Sequence, residues 1–142
     1  MSRWVALGGY AVFVLWVTLM PRLEDVGADS LAWRLLAVVH GWGVPAWFDY
    51  AMLEFMANVA MFVPIGMFGV AILPRHRWWL AIVTAFFFSC AIELAQLWWL
   101  PDRVADWRDV LANSLGAALG AGLALGLRAL RWKSVNREDA HV

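Results

Sequence analysis

The sequence predicts an all-α, polytopic membrane protein of four transmembrane helices, with an interfacial helix in the first external loop. Two observations carry this. The 142 residues are 63% hydrophobic and only 15% charged, where soluble domains hold roughly half apolar and about a quarter charged residues. The excess is also concentrated in runs: Trp4–Met20 is 17 residues without a charge, Trp78–Leu100 is 23 with Glu93 alone, and Val110–Leu127 is 18 with none. A hydrocarbon layer of ~30 Å asks about 20 apolar residues of a helix. A disordered chain, a soluble enzyme and a collagen-like fibre are thereby excluded. An outer-membrane barrel is excluded too, since it would alternate polar and apolar residues in short segments.

In chain order, the first span covers residues 4–20. Arg3 and the apolar run after it superficially resemble a secretory signal. Met20-Pro21-Arg22 offers no small-x-small cleavage site, so the segment is read as an uncleaved helix. Residues 21–50 form a long connection in which Asp29 or Ser30 caps a short helix, Leu31–His40, stopped by Gly41. Leu31, Leu35, Val38, Val39 and Trp42 share one side, the pattern of a helix lying flat at the interface. The second span, 51–73, has Asp49 as N-cap and Glu54 and Asn58 in its first third. Pro64 deletes the backbone bond to the Ala60 carbonyl, which predicts a kink, and Pro74 ends the helix. Only Pro74-Arg75-His76-Arg77 separates it from the third span, 78–100, so these two form a tight antiparallel pair. Residues 101–109 lead to the fourth span, 110–127, and Arg128, Arg131, Lys133 and Arg137 follow it, with a frayed tail of about ten residues. Residues 1–142 are read as one membrane domain.

Orientation follows from the positive-inside rule. The amino terminus, the 74–77 turn and the carboxyl tail hold seven Lys and Arg residues, against four (Arg22, Arg34, Arg103 and Arg108) on the other side. Both termini are therefore expected in the cytoplasm. Trp78-Trp79 and Trp98-Trp99 lie 20 residues apart, ~30 Å of helix, and read as aromatic belts. Net charge is zero, with 11 basic and 11 acidic residues, so no bulk field favours a nucleic-acid partner. Cys90 is read as a small packing residue. His40, His76 and His141 lack metal-ligand spacing, and neither a metal nor a cofactor is expected.

The chemistry-bearing residues gather at one depth. Glu54 and Asn58 open the second span, Glu93 and Gln96 lie near the outer end of the third, and Asp106, Asp109 and Asn113 open the fourth. An acid within a span costs roughly 2.5–3.5 kcal/mol at the centre and less toward the surface. Residues three and four apart share a helix face. That pairs Glu54 with Asn58 and Glu93 with Gln96, and it aligns Asp106, Asp109, Asn113, Gly116 and Gly120 in one stripe. The glycines admit a close neighbour. Asp106 as N-cap with Asp109 in the first turn is also an ordinary helix start, and Gln96 and Asn113 read equally well as interhelical hydrogen-bond donors. Glu93, at ~10 Å below the helix end, is the strongest functional candidate, with an ion pair to Arg103 or Arg108 as the plainer reading. The catalytic candidates are Glu93, Asp106 and Asp109. The expected ligand-binding set is Glu54, Asn58, Glu93, Gln96, Arg103, Asp106, Asp109 and Asn113. A homo-oligomer would form through the Gly116/Gly120 or the Gly122/Gly126 face.

Three ordered pieces, Asn58-x-x-x-Phe62-x-Pro64-x-Gly66, Glu93-x-x-Gln96 and Arg103-x-x-Asp106-x-x-Asp109-x-x-x-Asn113-x-x-Gly116, resemble the VanZ family of small bacterial membrane proteins. The likeness covers roughly residues 52–122. It departs at Arg108, where members often carry an acid. The resemblance implies a multi-pass protein of the bacterial cell envelope and an association with resistance to the glycopeptide teicoplanin. The expected partner is a membrane lipid or lipid-linked cell-wall precursor at the outer leaflet. Paired carboxylates also suit an acid–base enzyme acting on a lipid-linked phosphate or sugar, though no serine–histidine, thiol–histidine or metal set accompanies them. A small proton-coupled transporter, with Glu93 titrating, is the third reading.

Overall fold

The computed structural model describes residues 2–19, 31–99 and 106–138, all in helices and short turns. The elements are α1 (Arg3–Thr18), α2 (Leu31–Gly41), α3 (Tyr50–Ile72), a 3-10 turn (Arg75–Arg77), α4 (Leu80–Trp99) and α5 (Trp107–Glu138). Among these, α3, α4 and α5 are long and apolar enough to cross a membrane, which is compatible with a multi-pass membrane protein. α1 has 16 residues, ~24 Å of rise against a layer of ~30 Å, and its expected extension to Met20 lies outside the described residues. The last helix differs from expectation. Where fraying was predicted, α5 continues through Glu138, because Arg128–Arg137 contains neither proline nor glycine to stop it.

Helix starts follow the sequence. Asp49 caps α3, its Oδ1 accepting from the Met52 amide at 2.9 Å. α3 runs unbroken through Pro64, and the Tyr10 hydroxyl donates to the Met61 carbonyl at 2.9 Å, beside the Ala60 carbonyl that the proline leaves without its donor.

The core is built around α3, which packs most extensively on α5, and less on α1 and α4. The α3–α4 pair that the short turn predicts does pack, with Gly69 close against Ala81, but other glycines draw α3 still closer to α5. A Cβ at Gly66 would overlap the Ala117 carbonyl, one at Gly116 the Val59 carbonyl, and one at Gly120 the Val63 carbonyl. Backbone therefore lies on backbone, and dispersion replaces the hydrophobic effect as the associating force in lipid. The Gly116/Gly120 face is thus taken up within the chain, while Gly122 and Gly126 meet nothing within 4 Å. Val14, Phe62, Ile65, Ala85, Ile92 and Ala117 form the main buried cluster.

α2 docks on α3 through Ala32 and Leu36, which are buried. Leu35, Val38 and Trp42, expected on its apolar side, are exposed, and Leu31's side chain lies outside the described residues. α2 thus has two apolar faces, one against the bundle and one open.

Candidate functional site

Several polar residues at the α5 amino-terminal end of the bundle have a structural reason for their place. The first amides of a helix lack partners and carry the positive end of its dipole. Asp106 caps α5, its Oδ1 accepting from the Arg108 amide at 2.8 Å. In a capping box the residue at the third helical position would reach back to the amide of the cap. Here Glu93 of α4 takes that part: its Oε2 accepts from the Asp106 amide at 2.9 Å. Asp109 is thereby available to α3, and Asn58 Nδ2 donates to its Oδ1 at 2.9 Å. Three carboxylates from two helices thus converge on one helix amino terminus, where the dipole favours negative charge.

Below this, Asn113 Nδ2 donates to Ser89 Oγ at 2.8 Å, and both residues are buried. Asn113 Oδ1 is buried without a hydrogen-bond partner among the described residues, a cost of about 1–3 kcal/mol if dry. Gln96 turns elsewhere. Its Nε2 donates to the Thr18 carbonyl at 2.8 Å, satisfying an orphan acceptor at the end of α1. The polar layer is therefore a set of pairings between neighbouring helices, and the predicted residues do not all share one contact network. Arg103 lies outside the described residues. Arg108 is exposed.

Beside these pairs is a cleft of about 630 Å³ between α2, α3 and the start of α5, with Trp33, Leu36, His40, Tyr50, Glu54 and Asp106 in its walls. That size lies within the range of about 300–1,000 Å³ typical of small-molecule sites. Trp33 and Tyr50 place their ring centroids 6.1 Å apart, and His40 Nε2 lies 2.8 Å from the Phe48 carbonyl, tying the end of α2 to the loop before α3. Among the described residues, no group of three or more His, Cys, Asp or Glu is arranged to hold a metal ion.

Of the predicted ligand set, Glu54 and Asp106 line this cleft. The sequence does not mark Trp33 and Tyr50, and marks His40 only as lacking metal-ligand spacing, because a cleft between a loop helix and a span has no periodic signal. Ser89 did have one: with Glu93 and Gln96 it continues a single face of α4 at steps of four and three.

The bundle and its polar end define a small helical membrane protein with a buried polar layer at one end and a mixed aromatic and acidic cleft over it. The chain belongs to the VanZ/LLP1 family, whose profile matches residues 7–129. No curated protein and no solved structure matches it.

Proposed function

We propose that the chain is a four-span protein of the bacterial cytoplasmic membrane, with α1 as the fourth span, α2 in the outer interface and both termini cytoplasmic. Its cleft binds a lipid-linked or cell-wall component at the outer leaflet and lowers the access of a glycopeptide such as teicoplanin to its target. The observation that carries this reading is the cleft itself, which combines aromatic walls with the Glu54 and Asp106 carboxylates. Aromatic faces stack on sugar rings or lie against lipid, and carboxylates accept from hydroxyls and amides. Family membership supports the envelope setting.

Orientation is tested by labelling. With Cys90 replaced by alanine, a cysteine at Ala46, which is exposed, is expected to react with an impermeant maleimide in intact cells. One at His76 reacts only after lysis. The reverse pattern would turn the cleft toward the cytoplasm and remove the proposed ligand.

The ligand reading is tested by Glu54→Gln, which keeps shape and one accepting oxygen but removes charge. At matched membrane abundance this variant is expected to lose the protection that the parent chain gives a susceptible bacterium against teicoplanin. Trp98→Phe, at an exposed belt position, keeps it. Full protection by Glu54→Gln excludes the carboxylate from the function.

A second reading has support from one observation: Glu54 and Asp106 face the same cleft from different helices, the arrangement that acid–base work on a phosphate or glycosidic bond uses. Release of headgroup from a lipid-linked sugar phosphate by the purified chain, lost in both Glu54→Gln and Asp106→Asn, would favour it over binding alone.

A further inference from the structure

We propose that the opposite end of the bundle holds a second site, a recess that binds the headgroup of an anionic phospholipid. The recess has a volume of about 500 Å³ and is formed by Leu73, Arg75, Arg128, Arg131 and Trp132. Its cations come from two separate elements, the turn after α3 and the last third of α5. The positive-inside rule asks only for a count of cations on one side. It does not ask that they converge.

Arg128 is fixed there by the backbone. The Val70 carbonyl would accept from the amide of residue 74, but Pro74 has none. Arg128 Nη2 donates to that carbonyl instead. This occupies one of the five donors of a guanidinium and holds the planar fork, which matches phosphate oxygens, at the edge of the recess. Arg75 is exposed in the turn, and Arg131 is one helical turn beyond Arg128 on the same side of α5. An anion meets charge-assisted donors here.

The surroundings favour a lipid over a free phosphate. Trp132 is 62% exposed beside the recess, and an indole there suits the boundary between headgroups and acyl chains. Leu127 and Leu123, 51% and 56% exposed, extend the face of Arg131 along α5 toward the membrane by steps of four. A phospholipid supplies the phosphate for the arginines and the acyl chain for this leucine track. This site is separate from the outer cleft and does not depend on what that cleft binds.

The test uses the purified full-length chain in neutral detergent, with bound species counted by native mass spectrometry. The probes are phosphatidylglycerol, phosphatidylcholine and inorganic phosphate, added separately. A basic residue near an anionic lipid surface contributes about a fivefold gain in binding. Arg75→Gln is therefore expected to weaken phosphatidylglycerol retention about fivefold, and Arg75→Gln with Arg131→Gln about 25-fold. Arg77→Gln removes the same charge from the same turn but lies outside the recess, and it is expected to bind as the parent does. Equal loss in Arg77→Gln and Arg75→Gln would reduce the effect to diffuse attraction and overturn the site. Equal retention of phosphatidylcholine would overturn it as well. Inorganic phosphate binding as tightly as phosphatidylglycerol would overturn the assignment to lipid. If the double variant does not fold, the single comparison of Arg75→Gln with Arg77→Gln still decides, because both residues are exposed in the turn.

Discussion

Gly120→Val is expected to abolish recovery of folded, monodisperse protein from the membrane, while Gly122→Val, two residues along, leaves recovery unchanged. A Cβ at Gly120 would overlap the Val63 carbonyl, whereas one at Gly122 meets nothing within 4 Å. Overpacking against a movable side chain costs about 1–3 kcal/mol. Here the obstacle is the backbone of α3, which cannot rotate aside, so the helices must separate along their closest contact. Separation also stretches the Asn58–Asp109 hydrogen bond of 2.9 Å, about three turns above Gly120 along α5. Size-exclusion profiles of detergent extracts check this. A normal Gly120→Val profile would mean that α3 and α5 do not pack as described. Gly69→Val is expected to be milder only in degree: a Cβ there meets the Ala81 methyl at 2.7 Å, a shallower overlap than that with the Val63 carbonyl, but with a methyl fixed to the α4 backbone.

The second large effect is at Glu93. Glu93→Gln is expected to fold as the parent does, because its amide oxygen still accepts from the Asp106 amide, bonded at 2.9 Å in the parent. Glu93→Ala leaves that amide without its acceptor and opens space at a position that is 7% exposed. An unsatisfied buried donor costs about 1–3 kcal/mol, and truncating a buried side chain adds to it. Thermal unfolding in detergent reads the difference, with Glu93→Ala well below Glu93→Gln. If both melt together near the parent, the hydrogen bond that Glu93 accepts from the Asp106 amide does not hold the start of α5. If Glu93→Gln folds normally yet gives no drug protection, the charge itself acts in the function.

These variants show which parts of the structure were legible in the sequence. The long apolar helices, the cap at Asp49 and the close approach at Gly116 and Gly120 follow from local rules of length, capping and residue size. The placement of Gln96 does not. Its spacing from Glu93 put both on one face, but a face three residues wide borders two neighbours, and Gln96 reaches the Thr18 carbonyl of α1 while Glu93 reaches α5. Periodicity specifies the side of a helix and leaves the neighbour open. The stripe on α5 has the same limit: Asp109 meets Asn58 of α3, and Asn113 meets Ser89 of α4. The cleft was the least legible part, because α2 contributes to it through Leu36 and His40, and the loop that sets their height has no repeat.

The carbonyls that end α3 bear on how the chain is made. Arg3 Nη1 donates to the Ala71 carbonyl at 2.9 Å, and Arg128 donates to that of Val70. One donor precedes α3 in the chain, on α1, and the other follows it, on α5. Until residue 128 has been synthesised, the end of α3 lacks one of these two partners. The end of α3 is therefore complete only when both α1 and α5 have docked on it. A nascent chain stalled before Arg128 would leave the Val70 carbonyl, which Pro74 cannot serve, without this donor.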